Sequence, residues 1–342
     1  MQLVVSIALT PLLVLLISCT SEHDSPGEDI GLGDATEIVT PELPAPVVVD
    51  DASVTPLRDL EITRIEVDSP DWMAFESDSL WIRLDAGTIL RIDPRRAQVV
   101  HAVKAAGHGQ FAACQGFGAS PGAIWSCSPR GPLQRVDTAT NRTVEALPLE
   151  MSTLQGHLVV ADQRLWVLTP DGTSLVPIDL ATNQAQEPLP LGLPCSDLAA
   201  DDPVIWVVCP WEDQVLAVDV MTSEVVHRIS LDEPRQVAVS DGLWVTFAGG
   251  VAQIDLTDLD VIAVYEGDGL SSASLSIGDT AVWFRTDGGP FLVGVDPAAH
   301  EVLAVVSAED LPSGGNVMEV GAQLWATAYD DAALVQLEQP AR

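Results

Sequence analysis

Lysine is almost missing from this chain. Of 15 basic residues only Lys104 is a lysine, and 50 acidic residues leave a formal net charge of −35 over 342 residues. A field of that sign repels phosphate backbones, which excludes nucleic-acid binding as the main activity. Aromatic residues make up only 5%, with two tyrosines. Glycine-rich phosphate loops, HExxH and CxxC pairs are all absent from the sequence, so no motif calls for a cofactor or a metal, and none is expected. What is present is 47% hydrophobic residues with 24 prolines and 25 glycines. That mixture describes a large core interrupted by many turns, with few long helices.

The N-terminus reads as an address. Gln2 to Ile17 is an apolar run ending at Leu16-Ile17-Ser18-Cys19, directly before the polar Thr20-Ser21-Glu22-His23-Asp24. Residues 1–18 are expected to be an export signal. The four residues ending at Cys19 resemble a bacterial lipobox, which implies lipidation of Cys19 and an exported lipoprotein at the outer membrane or cell surface. A cleaved secretory peptide and an uncleaved anchor are the competing readings. From Thr20 to Asp59 the chain carries ten acidic residues against one arginine, Arg58, with scattered prolines and no apolar periodicity. Residues 19–59 are therefore expected to be a lipidated cysteine plus a disordered acidic tether.

The remainder, residues 60–342, repeats. Seven tryptophans, Trp81, Trp125, Trp166, Trp206, Trp244, Trp283 and Trp325, follow one another at spacings of 44, 41, 40, 38, 39 and 42. In six repeats an aspartate stands 11 to 13 residues later: Asp93, Asp137, Asp179, Asp219, Asp255 and Asp296. Units of about 40 residues, each with four short β-rich runs bounded by Gly, Pro, Asp or Asn, predict an all-β, seven-bladed β-propeller of four-stranded antiparallel blades. The last repeat lacks an outer strand, and the orphan run Glu61–Val67 is expected to supply it and close the ring. The recurring tryptophan is expected to pack between blades, and the recurring aspartate to bind backbone N–H groups of a turn.

The pattern is clearest in Ile205-Trp206-Val207 with Ala217-Val218-Asp219-Val220-Met221-Thr222. It resembles the seven-bladed propellers of the virginiamycin B lyase-like and YVTN/NHL-repeat superfamily. That resemblance implies the fold; its members include enzymes, adhesins and binding platforms. The lyase-like enzymes carry a recurrent Trp-Phe-Thr-Glu motif, and the nearest stretch here, Trp283-Phe284-Arg285-Thr286, has no Glu.

Cys114 and Cys127 flank Trp125 much as Cys195 and Cys209 flank Trp206. In an exported protein this predicts two cross-strand disulfides, Cys114–Cys127 and Cys195–Cys209. A four-thiolate zinc site competes, but the two pairs fall in non-adjacent blades.

In a propeller the loops joining the second and third strands share one face with the crossings between blades. There the candidate ligand-binding residues are His108, Trp211, Asp213, Arg235, Arg285, Asp287, Tyr329 and Asp330. His157, at the opening of an inner strand, and His108 are the histidines nearest the channel. No catalytic residue is assigned. A monomeric, non-enzymatic platform for a protein or glycan partner is expected, touching the membrane through its lipid alone. The alternative is a lyase-like or hydrolase-type enzyme that uses loop carboxylates with His108.

Overall fold

The computed structural model describes residues 38–104, 115–128, 131–152, 154–279 and 281–339. Seven small sheets form the blades of a seven-bladed propeller. The fourth blade is typical: Asp197–Asp201, Val204–Cys209, Gln214–Asp219 and Glu224–Ser230 pair antiparallel in order from inside to outside. In the seventh, Ile62–Glu66 pairs antiparallel with Ala333–Glu338, so the N-terminal strand closes the ring as expected. Blade three departs from regularity, because its outer strand is split into Gln184–Ala185 and Leu189–Pro190.

Each repeated tryptophan is buried against the following blade. Trp283 packs with Val317, Leu324 and Val335, while Trp125 meets Leu158 and Val167. Trp325 of the last blade packs on Leu80, Ile82 and Ile92 of the first, which seals the ring with apolar contact. The repeated aspartates cap turns: Asp219 Oδ1 accepts from Met221 N at 2.8 Å and Thr222 N at 3.1 Å, and Asp179 does the same for Ala181 and Thr182. Such an Asx turn satisfies two N–H groups that the strand reversal leaves unpaired.

Residues 38–59 differ from the expected tether, for they form an ordered strap. Ile38–Val39 adds parallel to the outer strand of blade four, Val47–Val48 to that of blade five and Val54–Pro56 to that of blade six. Each contact is only two or three residues long, too short to register as periodicity. The strap is held because Val49 and Leu57 are buried, Val49 beside Tyr265 and Leu270 and Leu57 beside Val306 and Leu311. Residues 1–37, including the signal and Cys19, lie outside the described residues, as do Cys114 and His108.

Cys195 and Cys209 are joined in a disulfide that ties the entry of the inner strand of blade four to the end of its second strand. Cys127 is also disulfide-bonded.

Candidate functional site

The register of each blade puts one inner-strand residue opposite the position two after the repeated tryptophan. Asp197 faces Val208, Gln236 faces Thr246 and Ser274 faces Arg285. The same count places Gly116, His157 and Asn316 at this level in three more blades, and in blade one a register shift between Pro70 and Met73 sets both Asp71 and Trp72 opposite Arg83. Together these residues ring the mouth of the central channel on the face of the long loops. Below them the wall turns apolar: Phe117, Leu158, Leu198, Val237, Leu275 and Met318 line a cavity of about 320 Å³ with His157 at its edge.

On one side of the mouth, Asp197 is buried and accepts from His157 N at 3.0 Å, while His157 Nδ1 lies 3.1 Å from both of its oxygens. The imidazole side chain keeps 33% exposure and stands edge-on to Trp72, ring centroids 4.8 Å apart. Burial works against the imidazolium, but the charge of Asp197 and its hydrogen bond prevail and raise the His157 pKa. Trp72 reaches this place from blade one because Gly156 leaves room: a Cβ there would stand 2.2 Å from the Trp72 ring.

Opposite lies a second cluster. Arg83 Nη1 is 3.6 Å from Asp71 Oδ2, and Tyr329 and Asp85 stand beside this pair. Burial pushes the Asp71 carboxyl up to about 6, against the pull of Arg83 and with help from Asp85. Tyr329 is pushed up to about 12 by burial and by Asp85. Arg83 is 1% exposed, and neither its Nε nor its Nη2 has a partner. Those two nitrogens form the edge of the guanidinium that grips a pair of oxygens.

Arg285 occupies the same repeat position in blade six, and each of its nitrogens has a partner. Its Nε donates to Thr327 O at 3.0 Å, Nη1 to Thr286 O and Phe291 O, and Nη2 to Ser313 O. Burial lowers its pKa to about 10. Arg285 thus brackets blades six and seven through all three of its nitrogens. Of the other residues singled out in the sequence, Trp211 stands 58% exposed on the short turn Pro210–Glu212. Asp213 follows it in a left-handed conformation and accepts from Glu233 N at 2.9 Å, whereas Arg235 pairs with Glu233. Asp287 borders Gly314, and Asp330 is exposed beside Tyr329. His108 lies outside the described residues.

The structure therefore gathers Asp71, Trp72, Arg83, His157 and Asp197 at the mouth. Of these, sequence reasoning had singled out only His157, and only for its nearness to the channel. The signal for Arg83 was available, since it stands two residues after a repeated tryptophan, where most other blades carry an uncharged side chain. Among the described residues no group of three or more His, Cys, Asp or Glu has the arrangement of a metal site.

No protein-family model matches the chain, and no curated protein does. Solved structures do match, and they share the class of fold seen here, a seven-bladed β-propeller. A streptogramin B lyase aligns over 82% of this chain and 97% of its own at 12% identity, with a TM-score of 0.65. A catalytically inactive virginiamycin B lyase from Staphylococcus aureus with quinupristin aligns over 82% and 100% at 12% identity, with a TM-score of 0.67. A computationally designed protein, Ika8, aligns over 79% and 83% at 14% identity, with a TM-score of 0.60. At such identities the likeness is one of fold.

Proposed function

We propose that the protein is a non-enzymatic binding module of the cell envelope, exported and held by a lipid on Cys19, whose channel mouth takes a glycan. One observation carries this reading. Of the nine buried side-chain nitrogen and oxygen atoms without a partner among the described residues, five stand at the mouth: Trp72 Nε1, Arg83 Nε, Arg83 Nη2, Gln236 Oε1 and Ser274 Oγ. Buried polar groups are almost always hydrogen-bonded, so a ring of unmet ones is a ring awaiting a polar ligand. The set mixes donors with acceptors, and Asp71 and Asp85 add more acceptors beside Arg83. Hydroxyl groups both donate and accept, so a polyhydroxy ligand answers all of them, whereas a carboxylate ligand would be repelled by Asp71 and Asp85. The apolar wall beneath suits the carbon face of a sugar ring.

Calorimetric titration of the exported protein with envelope glycan fragments tests this. Saturable binding that is lost in Arg83→Met and kept in Arg235→Ala is expected. Binding indifferent to Arg83 would defeat the reading. Lipidation is checked separately, by the mass of the mature N-terminus in wild type and in Cys19→Ala.

The His157–Asp197 pair favours a second reading, an enzyme of the channel mouth. A carboxylate that orients an imidazole makes it a general base. Turnover of a bound glycan that disappears in His157→Gln, with binding retained, would place this reading first.

A further inference from the structure

The charge of this protein is unevenly laid out. Residues 94–136 contain no aspartate or glutamate, in a chain that has 50, and they hold Arg95, Arg96, His101, Lys104, Arg130 and Arg135. The outer strand of blade one, Gln98–Lys104, falls inside this stretch. Its Val99, Val100, His101 and Lys104 are exposed, and so are Arg95 and Arg96 on the turn leading into it. Arg96 is paired with Asp93 at 3.0 Å, while Arg95 and Lys104 have no acidic partner among the described residues.

The edge of this strand is also open. In blades four, five and six the strap covers the outer strand with an added parallel one, and in blade seven the outer strand is itself supplied by Ile62–Glu66. Among the described residues nothing pairs with the far side of Gln98–Lys104. An exposed edge with two adjacent valines offers unpaired N–H and C=O groups to any extended chain, and proteins ordinarily blunt such edges. Here the flanking charges are the rare basic ones, which attract acid instead of merely deterring self-association.

We propose that the outer edge of blade one is a docking site for an extended acidic segment of a partner protein, added as a fifth strand in the way the strap is added to blades four to six. Main-chain bonds along the strand supply affinity, Val99 and Val100 supply apolar contact, and Arg95 and Lys104 select for acid. The net negative charge elsewhere does not forbid this. At physiological salt, charges more than about 8 Å apart in solvent are largely screened, so the local cations dominate the last approach.

The test uses the full exported protein and a labelled ten-residue peptide alternating Val or Thr with Glu, with the Lys-substituted peptide as its counterpart. Binding is read by fluorescence anisotropy and by amide hydrogen exchange. The acidic peptide is expected to bind, to weaken with added salt and to slow exchange within residues 98–104. Arg95→Glu with Lys104→Glu should lower its affinity at least tenfold, while Arg58→Glu on the strap should leave it unchanged. Equal binding of the two peptides, a dissociation constant weaker than about 1 mM, or binding without protection of residues 98–104 would overturn the proposal. So would protection already present without peptide and lost on deleting residues 20–37, for the edge would then belong to the chain's own N-terminal segment. Glycan binding at the channel mouth is independent of every arm.

Discussion

Asp71→Asn isolates the electrostatics of the channel mouth. An unperturbed aspartate titrates at 3.8, and burial lifts Asp71 to about 6 in the folded protein even with Arg83 beside it. A carboxyl with its folded pKa raised favours the protonated form. Its contribution to stability is complete below the unfolded pKa and is lost as pH rises through the folded one. At 1.36 kcal/mol for each pH unit of displacement, keeping Asp71 ionised at neutral pH costs about 3 kcal/mol. Asparagine removes that cost while keeping the shape of the side chain beside Arg83. Urea denaturation of wild type and variant from about pH 4 to about pH 7 measures the effect. The other acidic groups are common to both proteins, so the difference between them reports Asp71 alone. The variant should gain up to about 3 kcal/mol relative to wild type, with the change concentrated between the two pKa values. A difference that stays flat across that range would refute the burial argument.

Three further outcomes concern the scaffold and one the histidine. Gly156→Val should drive Trp72 from the mouth, because its Cβ meets the indole at 2.2 Å; overpacking of this kind costs about 1–3 kcal/mol, readable as a lower urea midpoint with altered tryptophan fluorescence. Replacing Cys195 and Cys209 together by alanine opens a loop of sequence separation 14 and should cost about 3 kcal/mol in the chain-entropy account, with the deficit vanishing when both proteins are compared under reducing conditions. Deleting residues 38–59 uncovers the outer strands of three blades, so size-exclusion chromatography should show self-association in place of a monomer peak. The raised pKa of His157 means that its pairing with Asp197 stabilises the fold fully below the ordinary histidine value of 6.5 and loses that contribution as pH rises through the folded pKa. Histidine NMR titration in wild type and Asp197→Asn checks this, with a lower pKa expected in the variant.

Much of the fold was legible because a propeller writes itself repeatedly. Seven tryptophans at one position per blade, and aspartates 11 to 13 residues after six of them, record demands that recur with each blade: an apolar block between neighbours and a tight turn. The closing strand was legible too, since Ile62–Glu66 is a run long enough to show strand alternation next to a last repeat that lacks one. The strap was not legible. Val47-Val48 and Val54-Thr55-Pro56 are too short to carry a period, and they are stabilised by outer strands some 220 to 250 residues away in the chain, with Val47 paired to Tyr265 and Val54 to Val305.

The site shows the same division more sharply. Arg83 and Arg285 follow their tryptophans by the same two residues, and nothing local distinguishes them. One is enclosed by four carbonyl oxygens of blades six and seven, and the other meets only Asp71 on its Nη1 and keeps a bare edge. Trp72 and His157 belong to blades one and three and touch only because the ring curves them toward one axis across Gly156. The sequence alone thus determined the repeat, the number of blades, the sign of the charge and the basic stretch within it. Local propensity and pattern are properties of neighbouring residues, and they survive in a linear string. Which buried donor is satisfied, and which side chains meet at the channel mouth, depends on groups from separate blades converging, and only closure of the ring decides that.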